Sequence, residues 1–304
     1  MAQKTEAISL IEYILVQIFV FKVRCLPYRM AVRLGAGMGS LVYGLWGSRR
    51  NLAKSNLSFV FPDKKPEEIN RVAKAVFQNV GRTLVEFIYS EKWTRAQLLE
   101  HVEVEGREHI EAALARGKGV ILMTGHFGNW EMLGMEVSAL GFKLSVLARA
   151  LDNPRLDLLV NRIRSNFGEE VIANVNSVKD VIKCLRRNEI VGILIDQNLY
   201  ENAVFVDFFG KLAATTPLVP LLTQKTGTAV IPIHMIRQPD GRHRIIIDRE
   251  LVLAEKSDRQ EYVNYNTRLC NQVIENWILK DPEQWFWVHN RWKTRPENTD
   301  GIRH

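Results

Sequence analysis

The chain predicts an α/β fold: a central mixed, largely parallel sheet flanked by helices, with an N-terminal membrane-anchoring helical segment. Three observations carry that expectation. Beyond residue 100, apolar runs of strand length alternate with segments of helical periodicity, the pattern of parallel strands joined by crossing helices. Residues 120–123 are apolar without a break, as a strand buried in the sheet requires. The net charge of +7 is also unevenly placed, because residues 1–65 hold ten Lys or Arg against three acids and the remainder sums to zero.

In chain order, residues 8–21 are apolar apart from Ser9, Glu12, Tyr13 and Gln17. As a helix they would reach about 21 Å, short of the roughly 30 Å of a hydrocarbon core. Lys22, Arg24, Arg29 and Arg33 follow, then a glycine-containing apolar stretch over 34–46, then Arg49, Arg50 and Lys54. This alternation predicts an anchor and an interfacial hairpin with cations at the headgroups of an anionic membrane. Basic charge that flanks apolar stretches, without interleaved stacking aromatics, argues against nucleic acid as the partner. A signal peptide is disfavoured by the poor basic region before Ile8 and by the lack of a small-x-small site after the apolar run. Gly35, Gly37 and Gly39 follow no strand and are misplaced for a dinucleotide loop, so they predict close helix packing.

A helix over 66–89 places Ile69, Val72, Val76, Val80, Leu84 and Phe87 on one side, leaving Asn79, Arg82 and Glu86 open to groove-facing, solvated or capping roles. Strands are expected at 102–104, 120–123, 143–147, 170–172, 190–195, 229–235 and 244–248. Helices are expected at 108–116, from Trp130, near 154–167, 177–188 and 217–226, with a closing helix over 258–279. The resulting division is an anchor over 1–65, a catalytic domain over 66–295 and a tail over 296–304. Cys25, Cys184 and Cys270 are too widely separated for metal-ligand spacing and read as reduced thiols, mostly buried, in a chain facing the cytoplasm.

Chemistry concentrates where residues 120–123 end. Thr124-Gly125 break the strand, His126 emerges, and Gly128-Asn129 offer a helix start with Glu131 in the first turn. Across that corner an imidazole and a carboxylate five residues apart can face one another, with the carboxylate fixing the tautomer that leaves the other ring nitrogen free as a base. A capping histidine with a solvated glutamate is the bland alternative. Arg149 ends a strand and Arg164 ends a helix; either could turn toward the crevice to bind phosphate or an oxyanion, or lie on the surface. Asp196 closes the strand after residue 190 as His126 closes the central one, and could orient His126, bind the acceptor or cap a loop. Thr215-Thr216-Pro217 reads as a helix start whose amides could also receive phosphate.

His126-Phe-Gly-Asn-Trp-Glu131 matches the His-x4-acidic motif of the lysophospholipid acyltransferase superfamily and resembles its bacterial branch, the late acyltransferases of lipid A biosynthesis. Further pieces follow in that branch's order: Arg149 with Leu151 to Pro154, Arg164-Ser165-Asn166, Asp196-Gln197, Phe208-Phe209-Gly210 through Pro217, and Trp287 to Trp292. The likeness covers roughly residues 50–295. It implies a glycerolipid-acyltransferase-like fold, His126 and Glu131 as the catalytic pair, and Arg164, Arg149, Asn129, Asp196 and Gln197 as residues that bind substrate or oxyanion. It also implies acyl carrier protein or acyl-coenzyme A as donor, a lipid A precursor as membrane-lipid acceptor, a place on the cytoplasmic face of the inner membrane, and neither metal nor other cofactor. One departure is informative. The Pro-Glu-Gly-Thr-Arg-like segment with which glycerolipid members bind glycerol phosphate is missing, and residues 202–217 stand in its place, favouring a saccharolipid or other large amphiphilic acceptor over glycerol phosphate.

Other classes fare worse. No Gly-x-Ser-x-Gly elbow marks a serine hydrolase, and His126 lacks a second histidine one helical turn away for a zinc hydrolase. A non-catalytic lipid-binding protein of the same fold is the remaining competitor, and another membrane glycolipid or aminolipid the remaining alternative acceptor.

Overall fold

The computed structural model describes residues 6–173 and 177–296. Four helices lead the chain: α1 (Glu6–Cys25), α2 (Tyr28–Leu45), α3 (Gly47–Val60) and α4 (Pro66–Ser90). After them come α5 (Arg95–Glu100), β1 (Val102–Glu105), α6 (Arg107–Leu114), β2 (Val120–Thr124), α7 (Trp130–Ala139), β3 (Leu144–Ala148), α8 (Pro154–Ser165), β4 (Glu170–Ala173) and α9 (Ser177–Arg186). The chain continues through β5 (Ile190–Leu194), β6 (Val204–Phe208), β7 (Lys211–Thr215), α10 (Leu218–Thr226), β8 (Ala229–Arg237), β9 (His243–Ile247) and α11 (Arg259–Lys280). All but the first residue of the expected tail, 297–304, lies outside the described residues.

Seven strands form one sheet in the order β1-β9-β8-β2-β5-β3-β4, in which only the β8–β9 pairing is antiparallel. All seven match expected strands, and β2, β5 and β8, buried almost throughout, announce themselves as apolar runs. Alternation along β2 then divides the core. Ile121 and Met123 face the layer of α3, α9, α10 and α11, whereas Val120 and Leu122 face α6, α7 and α8.

Four elements escape sequence reasoning. α3 and α5 lie in stretches without a clean apolar stripe, and β6–β7 form a separate two-stranded hairpin within the segment 202–217. Its turn, Phe209-Gly210, holds both central residues at positive φ (56° and 78°), the geometry that matches strand twist. A phenylalanine in that position hides the signal that Asn-Gly would have given.

The glycines of α2 behave as expected. A Cβ on Gly39 would lie 2.1 Å from the Phe77 carbonyl oxygen, and one on Gly35 would lie 2.5 Å from that of Gly81, so α2 and α4 touch backbone to backbone. In α4 the expected stripe is buried at Ile69, Val76 and Phe87 but not at Val80 and Leu84. Asn79, Thr83 and Glu86 are buried, while Leu84 is exposed and Val80 only half-buried. The physical reason is that the inward face meets the polar turn around Gly128 and Asn129 instead of more core.

Candidate active site

The site is built by parallel register. β2 pairs with β5 so that Thr124 lies opposite Leu194, and two residues further along each strand His126 meets Asp196. The imidazole Nδ1 donates to Asp196 Oδ1 (2.8 Å), and the His126 amide and the Trp285 indole each donate to Asp196 Oδ2 (2.7 Å). Burial alone would raise the Asp196 carboxyl; the adjacent His126 and these hydrogen bonds outweigh it and hold the group at about 2. An ionised aspartate on Nδ1 leaves Nε2 as the acceptor nitrogen, where the Gln197 amide now donates at 3.0 Å.

This corrects the expected partner of His126. Both oxygens of Glu131 accept from Arg164, at 3.0 Å from Nε and 2.8 Å from Nη2, and neither ring nitrogen of His126 bonds to it. The first turn of α7 carries Glu131 toward α8, where the bidentate guanidinium satisfies it. Asn129 is likewise redirected. Buried at the start of α7, it caps Met132 N with its oxygen and donates its amide to Glu86, so both ends of its side chain are engaged within the protein. Asp196 is buried behind His126, and both its oxygens are taken by His126 and Trp285. Arg149 is exposed at the crevice mouth, with Asp152 3.7 Å away.

Behind the turn lies the network that α4 faces. Glu86 receives Asn129, an ion pair with Arg237 and the hydroxyl of Tyr28, while Asn79 and Thr83 donate to the Gly128 carbonyl. Gly128 itself has φ 59°, and a Cβ there would run into the Met235 carbonyl. Burial pushes the Glu86 carboxyl up, but Arg237 and His243 prevail and keep it well below the usual carboxylate range. That stabilisation is therefore complete at neutral pH and is lost as pH falls through the depressed value. Removing the anion strands a buried guanidinium, so Glu86→Ala is expected to cost about 3–5 kcal/mol in urea unfolding.

A strap over 285–292 closes the other side. The Phe286 amide donates to the His126 carbonyl (3.1 Å), and Trp285 bridges to Phe127. Arg291, fully buried, donates to the Ala214 carbonyl and the Thr215 hydroxyl, which anchors the strap to β7. Thr215 is thus committed to a strand end, and α10 begins only at Leu218, whose amide is met by the Thr216 hydroxyl. Trp285 is the residue that sequence reasoning misses; only its neighbours from Trp287 onward have a recognisable pattern.

From His126 a slot of about 300 Å³ runs between the sheet and α7. His126, Gln197, Arg149, Arg164 and Glu131 surround its mouth, and Leu122, Leu133, Val137, Leu144, Val146 and Ile233 line its depth. Gly192 in β5 leaves the floor open, since a Cβ there would press on Val146 at 3.1 Å. Glu169 also borders the slot, against Gly134; burial, with Glu131 adding, pushes its carboxyl up to about 8, so at neutral pH the wall there is uncharged.

An oriented histidine over a slot with a polar mouth and an apolar depth is an arrangement that fits acyl transfer. Comparison with known proteins gives the class a family: over residues 1–294 the chain matches the bacterial lipid A biosynthesis acyltransferases, and it belongs to them. It is 31% identical to the lipid A biosynthesis lauroyltransferase of Escherichia coli (strain K12) over 280 residues, 90% of this chain and 88% of that protein. The palmitoleoyltransferase of the same organism is 27% identical over 89% of this chain and 87% of its own length, and the myristoyltransferase 25% identical over 86% and 80%. Among solved structures, the 1-acyl-sn-glycerophosphate acyltransferase of Thermotoga maritima aligns with a TM-score of 0.40 and 16% identity, covering 84% of this chain and 97% of that one.

Proposed function

We propose that the protein transfers a fatty acyl group from a thioester donor, acyl carrier protein or acyl-coenzyme A, to a hydroxyl of a lipid A precursor. The observation that carries this reading is the His126–Asp196 couple opening on the apolar slot. His126 Nε2 takes the hydroxyl proton as the oxygen attacks the thioester carbonyl. The tetrahedral intermediate then expels the thiolate, breaking the C–S bond, and His126 returns the proton to the leaving sulfur. Asp196 stabilises the imidazolium between the two steps. Gln197 yields Nε2 to the incoming hydroxyl, and Arg164, braced by Glu131, brings positive charge to the oxyanion; Arg149 meets phosphate further out. The acyl chain lies in the slot. The relatives' names, lauroyl-, palmitoleoyl- and myristoyltransferase, fit a slot whose depth selects chain length.

The reading includes a place on the inner membrane, at its cytoplasmic face. No helix among the described residues is long and apolar enough to cross a bilayer. α1 nevertheless exposes Ile11, Leu15 and Ile18 along one face while burying Val20 and Val23 in the core, the arrangement of a helix lying in the interface. Lys22, Arg29 and Arg33 flank it for anionic headgroups.

Purified protein, given an acyl thioester and a phosphorylated, acylated glucosamine disaccharide, is expected to add one acyl group, read as a mass increase. Replacing Ile11, Leu15 and Ile18 together by serine is expected to move the folded protein from the membrane to the soluble fraction. If the wild-type protein binds the disaccharide but never acylates it, the non-catalytic lipid-binding reading takes over.

A further inference from the structure

Glu169, the residue before β4, carries a buried carboxyl that the acyl-transfer chemistry at His126 leaves unused. It is 4% exposed, and its Oε2 has no hydrogen-bond partner among the described residues. Other buried acids around the site are served, Asp196 by His126 and Trp285 and Glu86 by Asn129 and Arg237. Glu136 on α7 is also unpartnered, but it does not border the slot, whereas Glu169 does. A glycine gives the Glu169 carboxyl its place in the wall. A Cβ on Gly134, which lines the same slot, would lie 2.2 Å from Glu169 Oε2, so the acid fills the notch that α7 leaves there. Glycine inside a helix is destabilising relative to alanine, and at Gly134 it makes room for a polar group beside the acyl chain. The place along the slot is defined as well. Glu131 and Arg164 of the mouth act on Glu169 electrostatically, so the carboxyl stands where the polar mouth gives way to the apolar depth of Leu133, Val137 and Ile233.

At neutral pH the group is uncharged, because burial and then Glu131 push it up to about 8. A neutral carboxylic acid offers an O–H donor and a carbonyl acceptor, and a saturated hydrocarbon chain meets neither. Leaving such a group buried without a partner costs free energy, so a ligand that supplies the partner gains over one that does not. We propose that Glu169 forms a subsite for a hydroxyl carried by the donor's acyl chain close to its thioester, so that the enzyme prefers 2- or 3-hydroxyacyl donors to unsubstituted ones. Arg164 serves the oxyanion of the thioester carbonyl, and Glu169 beside it then falls against the first carbons of the chain. The remainder runs on into the apolar depth, where a hydroxyl would find no partner. This rests on the acyl-transfer reading and deepens it to the chemistry of the donor chain.

Internal competition between donors makes the test. The purified protein receives a phosphorylated, acylated glucosamine disaccharide and an equimolar pair of acyl thioesters of equal chain length, one unsubstituted and the other hydroxylated at carbon 2, at carbon 3 or at the far end. The chains are loaded on acyl carrier protein and, separately, on coenzyme A. The ratio of the two products by mass gives the ratio of kcat/KM values, whatever fraction of the enzyme is folded. Wild-type protein is expected to favour the 2- or 3-hydroxyacyl donor about tenfold or more and to disfavour the terminal hydroxyl. Glu169→Gln, which keeps a donor and an acceptor in place, should retain the preference. Glu169→Met, of similar length without a hydrogen-bonding group, should bring the ratio to about one. Gly134→Ala, which pushes the carboxyl out of its notch, should lower the ratio too, and it replaces the methionine variant if that protein does not fold. A wild-type enzyme that acylates without preference, a preference that survives in Glu169→Met, or an equal loss in the glutamine and methionine variants, which would make the effect one of packing, each overturns the proposal while acyl transfer stands. Failure of the wild-type protein to use any thioester would remove the reading beneath it, and the proposal with it.

Discussion

Asp196→Asn is expected to lower the maximal rate of acyl transfer by on the order of 10³-fold or more, and His126→Ala to abolish it. Asparagine keeps the shape of the aspartate and can still accept from Trp285, but its amide presents a donor to Nδ1 as readily as an acceptor. The tautomer that leaves Nε2 free is then no longer enforced, and the imidazolium of the intermediate loses its counter-charge. Because Asp196 is buried with three hydrogen bonds around it, the loss is confined to this geometry. The comparison variant is Trp285→Phe, which removes one donor to Asp196 and should reduce the rate far less. Single-turnover kinetics with saturating donor make the measurement. An Asp196→Asn protein that folds and turns over within tenfold of wild type would return the orienting role to some other group.

The second large effect is expected at Arg164. Arg164→Ala should reduce the maximal rate by about 10²–10³-fold, the usual loss when a fixed cationic or hydrogen-bonding group leaves a developing oxyanion. Glu131→Gln should fall in the same direction by a smaller factor, since a neutral amide cannot accept both guanidinium hydrogen bonds and so releases the side chain. The two residues act as a unit, so the double variant should be no worse than Arg164→Ala alone. Independent, multiplying effects would mean that Glu131 contacts substrate itself. A rise in KM at constant maximal rate would place Arg164 on ground-state phosphate.

Much of this architecture is legible in the order of the residues alone. Each of the seven strands of the main sheet, the emergence of His126 at a strand end and the close approach of α2 and α4 depend on local matters: apolar runs, glycine where the backbone must bend or touch, and the order of elements. The family motif around His126 is local in the same way. The chain also marks Arg164 and Glu131, although as separate actors.

Tertiary structure alone decided who pairs with whom. Glu131 is five residues from His126 and Asp196 is 70, yet it is Asp196 that bonds the imidazole, because the β2–β5 register brings position 196 level with position 126 while the first turn of α7 points Glu131 at α8. Asn129 belongs to a cap and a buried ion-pair network for the same reason: a helix start fixes its direction, and Glu86 meets it there from α4. The middle of α4 shows the principle most plainly. Periodicity states that a helix has an apolar face, but only the neighbours determine whether each part of that face meets the core or, as at Leu84, is left exposed. Residues far apart in sequence meet through register and helix phase, which are properties of the assembled sheet and cannot be read one segment at a time.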